Sequence, residues 1–353
     1  MPGTDGAADP DRAPGLAALV PKPAAERAER ELSALGVYDD GRGIESYDDE
    51  RVALPVVGEV PADREGTVAA VEAVERVVEH DLPSRDSTLA DRLRARGFSE
   101  ADIDAAPGSW AVIGTVLMAD FGDCPRPGEV GEALLELHGE ADTVLDRGGI
   151  AGRTRDPDVT VVAGAGDTET VHTEYGTRYA LDLATTMFSP GNKAERARMG
   201  DVTGPDERVF DMFAGVGYFA LPMARAGAEV VAAELDPTTY QYLVENAVLN
   251  DVTDRFRAVR GDCADVELEP VDRVVMGHYD AYERLPAGVA ALRPGGTMHL
   301  HEATPEAELP DRPVGRLEAA VADAGRSCEV LGVREVKSYA EGVQHVVVDA
   351  RIE

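Results

Sequence analysis

One short turn constrains this chain more than any other feature. Asp211-Met212-Phe213-Ala214-Gly215-Val216-Gly217 lies between the strand-like run RVFDMF and the helix-like run YFALPMARAG. Glycines at 215 and 217 suit a tight strand-to-helix turn in which backbone closely approaches a ligand. Behind it the pattern repeats: strand EVVAAEL, helix TTYQYLVENAVLND, strand RFRAVRG, strand DRVVMG, helix YERLPAGVAALRPGG, strand TMHLHEA and helix GRLEAAVADAG. Alternating strands and helices imply a doubly wound, mostly parallel sheet. The last two β-prone runs, CEVLGVREVKSYA and GVQHVVVDARIE, are expected to pair antiparallel.

The fold class that follows is α/β: a class I methyltransferase-like Rossmann sheet with a C-terminal antiparallel hairpin, preceded by a smaller α+β domain. The ligand read from its turns is S-adenosylmethionine. Asp211 ends the first strand, where it can accept from an ammonium or a water. Glu234 ends the second strand, 19 positions after Gly215, and suits two ribose hydroxyls. Asp236 is expected to cap the next helix. Asp262, after the third strand, suits an adenine amine. A lone G-x-G is weak evidence, and structural glycines in a βα turn are its bland alternative. The three acids together make the cofactor reading the stronger one.

Upstream, residues 1–22 read as a flexible acidic tail, residues 23–185 as an N-terminal α+β region, and residues 186–353 as the S-adenosylmethionine-binding Rossmann-like domain. Helices are expected over 23–35, 66–80, 128–140 and from Ser87 to Gly97, with an antiparallel sheet over the Gly-rich stretch 143–183. Cys124, Cys263 and Cys328 are far apart and form no CxxC, which supports neither a zinc knuckle nor a disulfide framework. No metal, no membrane span and a cytoplasmic monomer are the expectation. The net charge is −33, and only Lys22, Lys193 and Lys337 among 34 basic residues are lysines. At ~1 M salt the Debye length falls to roughly 3 Å, so carboxylate repulsion is screened. The composition resembles that of halophilic archaea.

FDMFAGVGYFALPMAR, VVAAELDP, ENAVLND and RGDCAD resemble the archaeal and eukaryotic transferases that act at position 37 of tRNA. That family holds the guanine-37 N1-methyltransferases and the wybutosine-synthesising aminocarboxypropyltransferases. The block from Thr186 to Arg196, with its Gly191-Asn192 pair, is similar to the second subgroup. So is Gly277-His278-Tyr279, where the methyltransferases carry Asn-Leu-Pro. The inserted His278 departs from the subgroup's Gly-Tyr. Met298-His299-Leu300-His301-Glu302 resembles its His-x-His-Glu.

The resemblance implies transfer of the 3-amino-3-carboxypropyl group of S-adenosylmethionine to C7 of 4-demethylwyosine at position 37 of tRNA-Phe, bound through its anticodon arm. The alternatives are N1-methylation of guanine-37 and a non-catalytic tRNA-binding protein. His278, Tyr279 and Glu302 are the candidate catalytic residues. Tyr279 is assigned to stacking on the base, against a bland role as a core tyrosine. Glu302 is assigned to the amino or carboxylate group or to the proton, against plain strand-end packing. Ser189, Asn192, Arg196, Asp211, Phe213, Gly215, Gly217, Glu234, Asp262 and Gly277 are the candidate cofactor residues. Arg196 is expected to meet a carboxylate or phosphate, against an ion pair with Glu195 or Asp201. Three arginine islands are candidate tRNA contacts: Arg92, Arg94 and Arg96; Arg147, Arg153 and Arg155; and Arg196 with Arg198.

Overall fold

The computed structural model describes residues 12–48, 50–57, 68, 71–83, 88–151 and 156–353, which fall into two compact units, Met1–Phe98 and Ser99–Glu353. In the first, β1 (Arg12–Pro21), α1 (Ala25–Ala34), β2 (Glu45–Ser46), β3 (Arg51–Val56) and β4 (Arg76–Pro83) build a sheet of order β2-β3-β1-β4. Two expectations are corrected here. Residues 12–21, read as tail, are an interior strand pairing antiparallel with both β3 and β4. Ala17, Ala18, Leu19 and Val20 are all fully buried, and alternate ones join different apolar clusters on the two faces. An unbroken apolar run such as Leu16–Val20 suits a strand covered on both sides. The helix read over 66–80 gives way to β4 from Arg76 onward, because pairing with β1 overrides a local helical spacing. The expected helix at Ser87–Gly97 forms as α2 (Leu89–Ala95), with a Thr88–Asp91 capping box and Gly97 in the left-handed region at φ 77°.

The second unit opens with α3 (Glu100–Asp104), then β5 (Trp110–Ile113) and β6 (Val116–Ala119), an antiparallel pair joined by a tight turn. After α4 (Pro127–Leu137), β7 (Thr143–Ala151) and β8 (Asp156–Gly164) complete a four-stranded sheet of order β5-β6-β7-β8. β9 (Glu169–Glu174) and β10 (Thr177–Asp182) form a separate hairpin. It is followed by α5 (Lys193–Val202), β11 (Arg208–Asp211), α6 (Ala220–Arg225), β12 (Glu229–Glu234), α7 (Pro237–Leu249), β13 (Phe256–Arg260), β14 (Val271–Met276), α8 (Leu285–Ala291), β15 (Leu292–Pro305), α9 (Asp311–Asp323), β16 (Cys328–Ala340) and β17 (Val343–Ile352).

The seven-stranded sheet has the order β13-β12-β11-β14-β15-β17-β16; β11 to β15 run parallel, and β17 is antiparallel to both neighbours. This is the α/β sheet with terminal hairpin that the sequence implies. No packing break falls at 185/186. Asn246 on α7 donates to Ala180 O at 2.9 Å and accepts from Ala180 N at 2.7 Å, clasping β10 to the catalytic sheet's helix layer. Tyr179, Leu181 and Leu183 share one buried cluster with Val209 and Ala220. No helix among the described residues is long and apolar enough to cross a membrane.

Candidate active site

β11 lies where the strand order reverses, with β12 on one side and β14 on the other. In open parallel sheets ligands bind at the carboxyl ends of strands at such a switch point. A cavity of about 600 Å³ opens there. The turn after β11 forms part of its wall because Gly215 and Gly217 hold φ 57° and 106°. A Cβ would lie 2.2 Å from the Tyr218 ring at 215 and 2.6 Å from Leu221 at 217, so the turn closes only on glycine. Gly215 and Phe213 line the cavity. Gly217 does not; it sets the turn's path. Asp211 is also behind the wall, fully buried, with Oδ1 accepting from Phe213 N at 3.2 Å and Oδ2 without a partner. Burial pushes its carboxyl up to about 7, against the backbone hydrogen bonds that lower it.

Glu234 caps this end from β12. Its Oε2 accepts from Gly215 N and its Oε1 from Asp236 N, both at 2.8 Å, which locks the carboxylate in the cavity wall. Burial raises its carboxyl despite those amides. Asp236 caps α7 through Thr239 N at 2.7 Å, as expected. Asp262 lines the cavity and pairs with Arg284 through Nε at 3.2 Å and Nη2 at 3.0 Å, a partner the sequence did not suggest. Beside it, burial, then the Asp262 charge, pushes the Cys263 thiol up to about 12, away from the thiolate form.

The other end of the cavity is formed by the segment before α5 and the loop after β14. Ser189, Asn192 and Arg196 line it, as do Gly277, His278 and Tyr279. Asn192 Oδ1 is buried without a partner. Arg196 departs from its expected role. Its fork closes on Glu174 of β9, with Nε at 2.6 Å and Nη2 at 2.8 Å, while Nη1 donates to Ser189 O at 2.9 Å. Neither Glu195 nor Asp201 is its partner. Its guanidinium lies 4.6 Å from the Phe188 ring centroid, so it fixes the Phe188–Ser189 backbone. Gly277 has no room for a side chain, since a Cβ would meet Phe219 at 2.7 Å. His278 stacks on Phe213 at 5.4 Å, and its Nδ1 accepts from Asp280 N at 3.1 Å, which leaves the ring proton on Nε2. Tyr279 meets Tyr339 of β16 edge-to-face at 4.7 Å, and Tyr339 lines the mouth.

Glu302 is not with them. It is fully buried on β15, and its Oε1 accepts from Arg312 Nε and Arg316 Nη1, both at 2.8 Å. Those arginines sit four apart on α9 and grip it from one helix face, and Glu302 does not line the cavity with His278 and Tyr279. His301 is buried too, Nδ1 3.0 Å from His345 Nε2, and burial, then the neighbouring His345, holds its imidazole well below the ordinary range. Arg153 and Arg155 lie outside the described residues. Arg147 is exposed, and Arg198 is tied to Asp349 at 2.7 Å. Arg284, Tyr339 and Lys337 were missed because their partners are 22 to 148 residues distant in sequence.

A family model described as the TRM5/TYW2 methyltransferase domain matches residues 170–331, and one described as the TYW2 N-terminal domain matches residues 89–168. The tRNA(Phe) (4-demethylwyosine(37)-C(7)) aminocarboxypropyltransferase of Pyrococcus horikoshii is 41% identical over 276 residues, covering 76% of this chain and 99% of that protein. The tRNA (guanine(37)-N(1))-methyltransferase Trm5b of Pyrococcus abyssi is 32% identical over 251 residues, covering 70% of this chain and 75% of its own. The crystal structure of M. jannaschii TYW2 in complex with AdoMet is similar at a TM-score of 0.57 and 34% identity, over 69% of this chain and 99% of that one.

Proposed function

The chain belongs to the TRM5/TYW2 family, and from that premise we propose that it transfers the 3-amino-3-carboxypropyl group of S-adenosylmethionine to C7 of 4-demethylwyosine at position 37 of tRNA(Phe). The observation that carries the choice of reaction is the greater identity to the aminocarboxypropyltransferase than to the guanine-37 methyltransferase. The loop Gly277-His278-Tyr279 supports it.

The residues present fit the cofactor. On the cavity lining, the buried Asn192 Oδ1 lacks a donor, and an amino-acid ammonium can supply one. Each oxygen of Glu234 accepts one amide and retains capacity for one ribose hydroxyl. S-adenosylmethionine supplies a sulfonium whose three attached carbons are alternative electrophiles. Which one reacts depends on alignment with the attacking carbon. The chain's contribution is that alignment. Glu234 and Asp262 hold the adenosine part, and the Ser189–Asn192 turn holds the methionine arm. Tyr279 and Tyr339 offer aromatic faces to a tricyclic base at the mouth. His278 presents Nε2–H and serves as a hydrogen-bond donor to the base. The anticodon arm is the proposed tRNA element, and the enzyme acts as a cytoplasmic monomer.

Incubation of the protein, S-adenosylmethionine and tRNA carrying 4-demethylwyosine should release 5′-methylthioadenosine and add the aminocarboxypropyl mass to the base. Mass spectrometry of the nucleosides checks this; S-adenosylhomocysteine with 1-methylguanosine would establish the methyltransferase instead.

The charge of −33 further suggests a high-salt cell. Self-repulsion of surface carboxylates destabilises the compact state at low ionic strength and is screened at high. The melting temperature should therefore rise by about 10 °C or more between 0.1 and 3 M KCl, followed by scanning calorimetry. A flat profile would remove the salt-adaptation reading.

A further inference from the structure

Only three of the 34 basic residues are lysines, so a lysine beside the cavity stands out against the composition. Lys337 lies on β16, two positions before the cavity-lining Tyr339. Its ammonium donates to Ser189 Oγ, and its stem crosses Gly191, where a Cβ would come within 3.0 Å of Lys337 Cδ. Glycine at 191 thus makes room for the lysine. The adjacent Asn192 occupies the N-cap position of α5 without capping it, and its buried Oδ1 has no partner. Arg196, the other cation at this end, is committed to Glu174 and the Ser189 carbonyl.

These observations bring a cationic donor from β16 against a turn of the cavity wall that carries a hydroxyl and an unmatched acceptor. A zwitterionic α-amino acid needs that set: donors for its carboxylate and an acceptor for its ammonium. We infer that Lys337 and Ser189 bind the carboxylate of the amino-acid arm of S-adenosylmethionine, with Asn192 Oδ1 accepting from its ammonium. The inference rests on the cofactor reading above and adds a residue on the terminal hairpin to the site. An ammonium on a flexible stem suits the aminocarboxypropyl transfer, because the arm leaves on the base and its carboxylate must move with it.

Calorimetry on the full chain tests this with wild type, Lys337→Met and Lys337→Arg. The ligands are S-adenosylmethionine, decarboxylated S-adenosylmethionine and 5′-methylthioadenosine, which lacks the arm. Lys337→Met should weaken S-adenosylmethionine about 10- to 100-fold, the range for a charge-assisted hydrogen bond. It should leave the other two ligands within about 2-fold, while Lys337→Arg retains most of the affinity. An equal loss for all three ligands, or none for S-adenosylmethionine, overturns the assignment of Lys337 while the cofactor reading stands. Wild type binding none of the three overturns both. Retained methylthioadenosine binding shows that the variant is folded.

Discussion

Glu234→Ala should weaken S-adenosylmethionine binding by about two to three orders of magnitude while the chain remains folded. The carboxylate does two jobs at once. It accepts the amides of Gly215 and Asp236, which ties the turn after β11 to the end of β12, and it lines the cavity, where we propose that it holds the ribose. Hydrogen bonds to a charged group contribute about 1.5–3 kcal/mol each, so losing two from the ribose accounts for 10² or more. The amides stripped of their acceptor add to the loss, because Gly215 sits at φ 57° in a turn with no room to re-form. Glu234→Gln keeps one carbonyl acceptor and should lose about tenfold. Isothermal calorimetry gives the affinities and a melting curve gives the fold. An alanine variant that binds like wild type would take the ribose role from Glu234.

The catalytic sheet was readable because its strands and helices alternate with clean periods and end in glycines and acids. Gly215, Glu234, Asp262 and Gly277 all reach the cavity from turns that local sequence marks. What local pattern could not supply was the partner of each charge. Arg196 looked like a ligand-binding cation until Glu174, on a hairpin 22 residues upstream, filled its fork. Glu302 looked catalytic because His299-Leu300-His301-Glu302 resembles the subgroup's His-x-His-Glu. Strand alternation turns it instead onto α9, where Arg312 and Arg316 stand one turn apart. Lys337 carried no motif at all, and only the return of β16 past the Ser189 turn gives it meaning. In the first unit the failure was of another kind. Ala, Pro, Gly and Asp over 1–22 suggested a tail, whereas the continuous apolar run Leu16–Val20 within it is what a strand buried on both faces carries.

The Arg196–Glu174 pair carries the largest expected stability effect. Both side chains are nearly fully buried, at 2% and 4% exposure, and two hydrogen bonds join them. Arg196→Met leaves the Glu174 carboxylate buried with His172, at 3.2 Å, as its remaining partner. Removing one member of a buried ion pair costs about 3–5 kcal/mol, which for a unit of this size lowers the melting temperature by roughly 10 °C. The double variant Glu174→Gln/Arg196→Met should recover much of that loss, because no uncompensated charge stays inside. The pH dependence follows from Glu174. Burial alone would raise its carboxyl, but the hydrogen bonds from His172 and Arg196 and the arginine charge outweigh burial and hold it at about 2. Its folded pKa is below the unfolded one, so the stabilisation is complete above the unfolded value of 4.5 and is lost as the pH falls toward 2. Wild type should therefore lose stability over that interval through this group. In Arg196→Met the carboxyl loses its main counter-charge, so the loss begins at higher pH. Denaturant melts of both proteins from pH 3 to 7 separate the outcomes: parallel stability curves would mean that Arg196 does not hold Glu174 charged.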